Sequence, residues 1–246
     1  MLALIATVAV VLGFVYVQTP AVELSGEDLA RAQADQQLRE ELRAAGEATG
    51  AETKVIARLP SLGKRATPRS LAGTGKLVAV KGSSRRVGTG PRKRFAVQVE
   101  RGLRLDADAF AKEVERILFD RRSWARQDGF SLKRTDDPGD VTFIVTLTSP
   151  TTTDRLCAPL STSGVFSCAQ GPRAVINAAR WRGGAPSFGN DLMEYRRYLI
   201  NHEVGHTLGR RHRDCPAPKA RAPVMMQQTK GVGDCAPNPW PRTDEA

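Results

Sequence analysis

Histidine is scarce in this chain: three in 246 residues, all of them between His202 and His212. Any chemistry that needs several imidazoles is therefore confined to one short stretch. Aromatic residues amount to 6%, and no RNP-type aromatic pattern, zinc-finger spacing or helix-turn-helix signal accompanies the excess of positive charge. Nucleic acid is therefore not an expected partner. Cysteine is limited to four residues, and no two of them stand in CxxC spacing, which argues against a cysteine-ligated zinc. Acidic residues number 26 against 37 basic ones, a net charge of +11. Such a surface suits anionic lipid, wall polymer or acidic substrates, and also simple solubility.

What is present begins with an apolar run, Met1 to Val17. It falls within the range of about 17–25 residues for a membrane span. It lacks the basic residues that open a signal peptide, and its nearest small-residue cleavage pattern, Thr19-Pro20-Ala21, is poor. The expectation is a single-pass signal anchor over residues 1–18 with the remainder extracytoplasmic, a cleaved and secreted form being the alternative. Residues 19–75 are expected to be a stalk helix, Ser25 to Ala45, followed by a flexible basic linker. No sustained heptads support dimerisation, so the chain is expected to be a monomer.

The folded domain is expected over residues 76–246 as an α+β fold with a twisted mixed β-sheet. A short hairpin is expected around Gly82-Ser83-Ser84. A half-buried strand is expected where Phe95, Val97 and Val99 alternate with polar residues. Asp106 is placed to cap a helix carrying Phe110, Val114, Ile117 and Leu118 on one face. Phe130 to Arg134 and Val141 to Thr148 read as further strands, and Ala174 to Asn177 as a short one. Ser149 to Gly171 reads as loop. The longest helix signal is Asn190 to Leu208, with Ile200, Val204 and Leu208 toward the core. Gly205 in its middle costs roughly 1 kcal/mol against alanine, which implies close approach by a neighbouring element. Four cysteines allow three pairings; the local ones, Cys157 with Cys168 and Cys215 with Cys235, are expected.

The stretch that carries chemistry reads HEVGHTLGRRH, His202 to His212. His202 and His206 are one helical turn apart, so both rings leave the same helix face. Gly209 can end the helix in the left-handed conformation, and the chain can bend back to deliver His212. Three neutral nitrogens with one open coordination position make a catalytic zinc site, with Glu203 beside it as proton carrier.

This pattern resembles the metzincin clan of zinc metallopeptidases, whose signature is HExxHxxGxxH followed by a methionine turn. Pro223-Val224-Met225-Met226-Gln227 lies at a suitable distance downstream. The resemblance implies a zincin-like fold with a long active-site helix and an irregular C-terminal segment, with zinc as cofactor. It implies His202, His206 and His212 as metal ligands, Glu203 as general base, and Met225 or Met226 under the metal, with Met225 favoured. It also implies that an edge strand at Val175, Ile176 and Asn177 binds the substrate backbone by strand addition; an ordinary sheet edge is the plain alternative. Several metzincins have a tyrosine two residues after the turn methionine, where this chain has Gln227 or Gln228. From roughly Lys76 to Arg242 the chain also resembles an uncharacterised actinobacterial family of membrane-anchored, zincin-like proteins. The expected activity is hydrolysis of peptide or protein substrates, cell-wall peptides included. The alternatives are a non-catalytic zinc-stabilised module that binds wall or surface, and a peptidoglycan-directed zinc amidase.

Overall fold

The computed structural model describes residues 71–245. These form an α+β domain on one seven-stranded mixed sheet. The strands are β1 (Leu77–Ala79), β2 (Val87–Gly88), β3 (Arg92–Glu100), β4 (Ser131–Arg134), β5 (Phe143–Thr148), β6 (Cys168–Gln170) and β7 (Arg173–Asn177). Their order is β2-β4-β3-β5-β7-β6, with β1 on the end of β3. The central strands β4, β3, β5 and β7 run parallel, while β1, β2 and β6 pair antiparallel at the margins.

A parallel centre needs cover on both faces, and β5 shows why. Phe143, Val145 and Leu147 enter the main core with Phe95, Val97 and Ile176. Ile144, Thr146 and Thr148 face the other way and are also buried. On that second face Arg173 Nη1 donates to Thr146 Oγ1 at 2.7 Å. Thr148 and Thr153 share a hydrogen bond of 2.7 Å.

Five α-helices complete the domain: α1 (Ala107–Leu118), α2 (Trp124–Gln127), α3 (Pro150–Cys157), α4 (Ala178–Gly183) and α5 (Leu192–Thr207). Asp106 caps α1, its carboxylate accepting from Ala109 N–H at 2.9 Å. Phe110, Val114, Ile117 and Leu118 of α1 are buried against the sheet and α5. Ile200 and Val204 of α5 are likewise in the core. Trp124, Trp181 and Trp240 are all buried.

Several expectations need correction. The segment after Thr148 is not all loop: it contains α3, whose start is signalled by Ser149 at the N-cap and Pro150 at the first turn. That pair fits helix entry well, since proline's missing N–H costs nothing there. The hairpin around Gly82-Ser83-Ser84 does not form. β1 pairs with β3 and β2 with β4, so the two segments join different strands. The linker expected through Gly75 ends earlier, because Leu71 is 4% exposed within the core and Gly75 N–H donates to Glu100 Oε1 at 2.7 Å.

The single-pass membrane placement, with its extracytoplasmic orientation, is also corrected. Among the described residues no helix is long and apolar enough to cross a membrane. The anchor expected over residues 1–18 and the stalk over 25–45 lie outside the described residues.

Candidate metal centre

Helix α5 begins at Asp191, whose carboxylate accepts from Glu194 N–H at 2.9 Å. It ends in a Schellman motif. Gly209 adopts φ +87°, its N–H reaches His206 O at 2.9 Å, and Arg210 N–H reaches Gly205 O at 2.9 Å. Only glycine takes that φ cheaply. The stop also has a chemical consequence: it places the carbonyl of Arg210 2.8 Å from His206 Nδ1. The turn that terminates the helix thus fixes a ring that the helix carries.

His202 is held in the same manner, with Nδ1 2.8 Å from Val224 O. A carbonyl only accepts, so in both rings the proton sits on Nδ1. In the neutral imidazoles Nε2 is then a bare lone pair. The two Nε2 atoms lie 3.3 Å apart, and His206 Nε2 is 3.1 Å from His212 Nε2. All three lie within 4.8 Å of one another. Zinc–nitrogen bonds of about 2.0–2.1 Å at tetrahedral angles would set neighbouring nitrogens about 3.3 Å apart. Two lone pairs aimed at one point repel unless a cation sits between them. The donor set therefore fits a divalent ion that takes neutral nitrogen ligands.

The electrostatics agree with neutral rings. Burial holds His202 well below the usual histidine range, and the neighbouring His206 adds to this. Burial also lowers His206. His212 is the most exposed of the three, yet desolvation of its ring, then His206 and the positive charge of Lys230, bring it to about 4. Glu203 is 4% exposed, and burial pushes it up to about 8. A bound dication would act against burial and favour the carboxylate.

Below the histidines lies the segment Pro223 to Gln228. Met225 is 1% exposed and its backbone is gripped from both sides. Met225 N–H donates to Glu245 Oε1 at 3.1 Å, and Met225 O accepts from Arg213 N–H at 3.2 Å. The second of these bonds ties the methionine to the residue after His212. The two glutamines that follow have separate roles. Gln228 is fully buried and braces the segment: Nε2 donates to Pro223 O at 3.0 Å and to Asn238 O at 2.7 Å, and Oε1 accepts from Asn238 N–H at 2.9 Å. Gln227 lines a small cavity beside His202 and Glu203. A disulfide between Cys215 and Cys235, Cα–Cα 5.9 Å, closes this irregular region. A second joins Cys157 at the end of α3 to Cys168 at the start of β6, Cα–Cα 6.1 Å.

The expected substrate strand is misplaced. Val175, Ile176 and Asn177 belong to β7, which lies between β5 and β6 and is no edge. All three are fully buried. Asn177 is engaged in capping α4, its Oδ1 accepting from Ala179 N–H at 2.9 Å. The edge on this side is β6, and Phe166 and Ser167, just before it, line the cavity with His202 and Glu203.

Sequence reading missed three further contributors. Tyr198 is buried; its hydroxyl donates to Met226 O at 3.1 Å and its ring is 5.2 Å from that of His202. The signal was available, since Tyr198 is four residues before His202 on the same helix face. Glu245, under the methionine, gave no local signal. Lys230 also lines the cavity, and nothing in its local sequence signals this.

No curated protein and no solved structure matches this chain. A family match covers residues 64–241, well over half of the chain and the whole of the histidine site. The chain belongs to that family, described as "Protein of unknown function (DUF3152)".

Proposed function

We propose that this protein is a zinc-dependent peptidase of metzincin-like architecture. The observation that carries the reading is the pair of bare Nε2 atoms of His202 and His206, 3.3 Å apart, with His212 completing the set. His202, His206 and His212 would hold the ion. A bound zinc supplies a water of pKa near 7 and polarises a carbonyl. Among the described residues, Glu203 is the only carboxylate lining the adjoining cavity. It takes a proton from the attacking water and returns it to the leaving amine.

Met225 packs beneath the histidines as the floor of the site. Its backbone bonds to Arg213 and Glu245 hold it there. The free edge of β6, Cys168–Gln170, takes the role first assigned to Val175–Asn177. An extended substrate pairs with it by strand addition.

A purely structural ion is disfavoured by the arrangement. The disulfide at Cys215 and Cys235 already staples the segment under the metal, and a structural site needs no buried carboxylate next to its ligands. The test is metal analysis of the full chain, then cleavage of a peptide library with and without chelator. The expected result is one zinc per chain with chelator-sensitive hydrolysis. One zinc with no hydrolysis would instead favour a binding module.

A further inference from the structure

The cavity beside the metal centre has a volume of about 40 Å³. It is bounded by Phe166 and Ser167 before β6, by Tyr198 and Glu203 of α5, and by Thr229 and Lys230 after the methionine turn. Tyr198 and Thr229 are buried, and the Thr229 hydroxyl is engaged with that of Tyr195 at 3.1 Å. The inner wall is thus fixed and polar.

Lys230 is the only cationic side chain among the lining residues. The Lys230 ammonium lies over the Phe166 ring, 5.4 Å from its centroid. Glu203, the one acidic lining residue, is committed to the reacting water.

We propose that Lys230 makes this cavity selective for a short acidic side chain, of aspartate size, on the substrate residue next to the scissile bond. The inference rests on the peptidase reading and names a substrate class for the same site. A cavity this small admits a short side chain and excludes long or aromatic ones. The ammonium at its lip, steadied over Phe166, supplies the opposite charge. Lys230 is exposed, so the selectivity is that of a partly solvated ion pair, about fivefold, and it weakens as salt rises.

The test uses the zinc-loaded full chain and two peptide hydroxamates. They differ only in carrying Asp or Asn at the residue next to the metal-binding group. Binding is measured by calorimetry, so the readout does not require turnover. The expected result is about fivefold tighter binding of the Asp compound by the wild type. Lys230→Ala should abolish that difference, and Lys230→Glu should reverse it. Equal affinities in the wild type, or an Asp preference that survives in Lys230→Ala, overturn the assignment of Lys230. If the chain cleaves peptides yet shows no such preference, this inference alone fails. If neither hydroxamate binds, the metal-site reading fails and takes this inference with it.

Discussion

A Cβ built on Gly205 would lie 2.4 Å from the sulfur of Met225 and 2.9 Å from Cζ2 of Trp124. The helix that carries His202 and His206 therefore meets Met225 and Trp124 through bare backbone. In an exposed helix, glycine to alanine would add roughly 1 kcal/mol of stability. Here the added methyl overpacks a filled site, at a cost of roughly 1–3 kcal/mol. Gly205→Ala should therefore lower the denaturant midpoint of the metal-free protein, and zinc affinity should fall with it. A raised midpoint would show that Met225 and Trp124 can retreat without penalty.

The assignment of roles within the motif separates cleanly by substitution. Glu203→Gln keeps the volume of the side chain and touches no metal ligand, so zinc content should be unchanged. Hydrolysis should fall by roughly 10²–10⁴-fold, the usual contribution of a positioned base. His206→Ala should lose the metal, because it removes the nitrogen 3.1–3.3 Å from both of the others. Atomic absorption and peptide cleavage on both variants check this. Full activity in Glu203→Gln would move the proton carrier elsewhere.

The legible parts of the sequence were those where a local rule and the tertiary context agree. HExxH with Gly209 carried the helix, its stop and the convergence of the three imidazoles, because spacing fixes the helix face and φ +87° requires glycine. Asp106 and the strand over Phe95 to Val99 were legible for the same reason. The substrate edge was not. Val175 to Asn177 has the composition of a strand, but whether a strand is an edge depends on its neighbours. Here β6 is only three residues long, too short for alternation to announce it. The helix α3 was obscured by its polar Thr-Thr-Thr-Asp-Arg run, although Ser149-Pro150 marked its entry. Glu245 reaches Met225 across twenty residues of chain, and no periodicity reports a contact of that kind.

The segment that carries Met225 has little regular structure of its own, so its shape depends on covalent closure. In the chain-entropy picture the Cys215–Cys235 link, with a sequence separation of 20, contributes roughly 3 kcal/mol. The double variant Cys215→Ser with Cys235→Ser should unfold at a correspondingly lower denaturant concentration. Its zinc affinity should also drop, since the Val224 carbonyl that orients His202 lies within the closed loop. Isothermal titration with zinc measures the second effect. Unchanged affinity would mean that Gln228 and Asn238 alone hold the loop.

Glu100 offers a prediction on pH that is independent of the metal. It is 1% exposed at the end of β3. Its Oε1 accepts from Gly75 N–H at 2.7 Å and from the Thr152 hydroxyl at 2.7 Å, and its Oε2 accepts from Ser149 N–H at 2.6 Å. Burial alone would raise this carboxyl, but the donors from Ser149, Thr152 and Gly75 outweigh it and hold it below its ordinary value. A depressed folded pKa means that the group's contribution is fully present above the unfolded value, about 4.3. The contribution is then lost as pH falls through the lower folded value. Glu100→Gln keeps the shape but turns an amide NH₂ toward one of these donors, costing roughly 1–3 kcal/mol for the donor left unmet. Urea midpoints of wild type and variant should differ by a constant amount at neutral pH. The difference should shrink as pH falls below the unfolded value of about 4.3 and toward the lower folded one. A gap that stays constant down to the acid limit would mean that Glu100 is neutral in the folded protein and acts by shape alone.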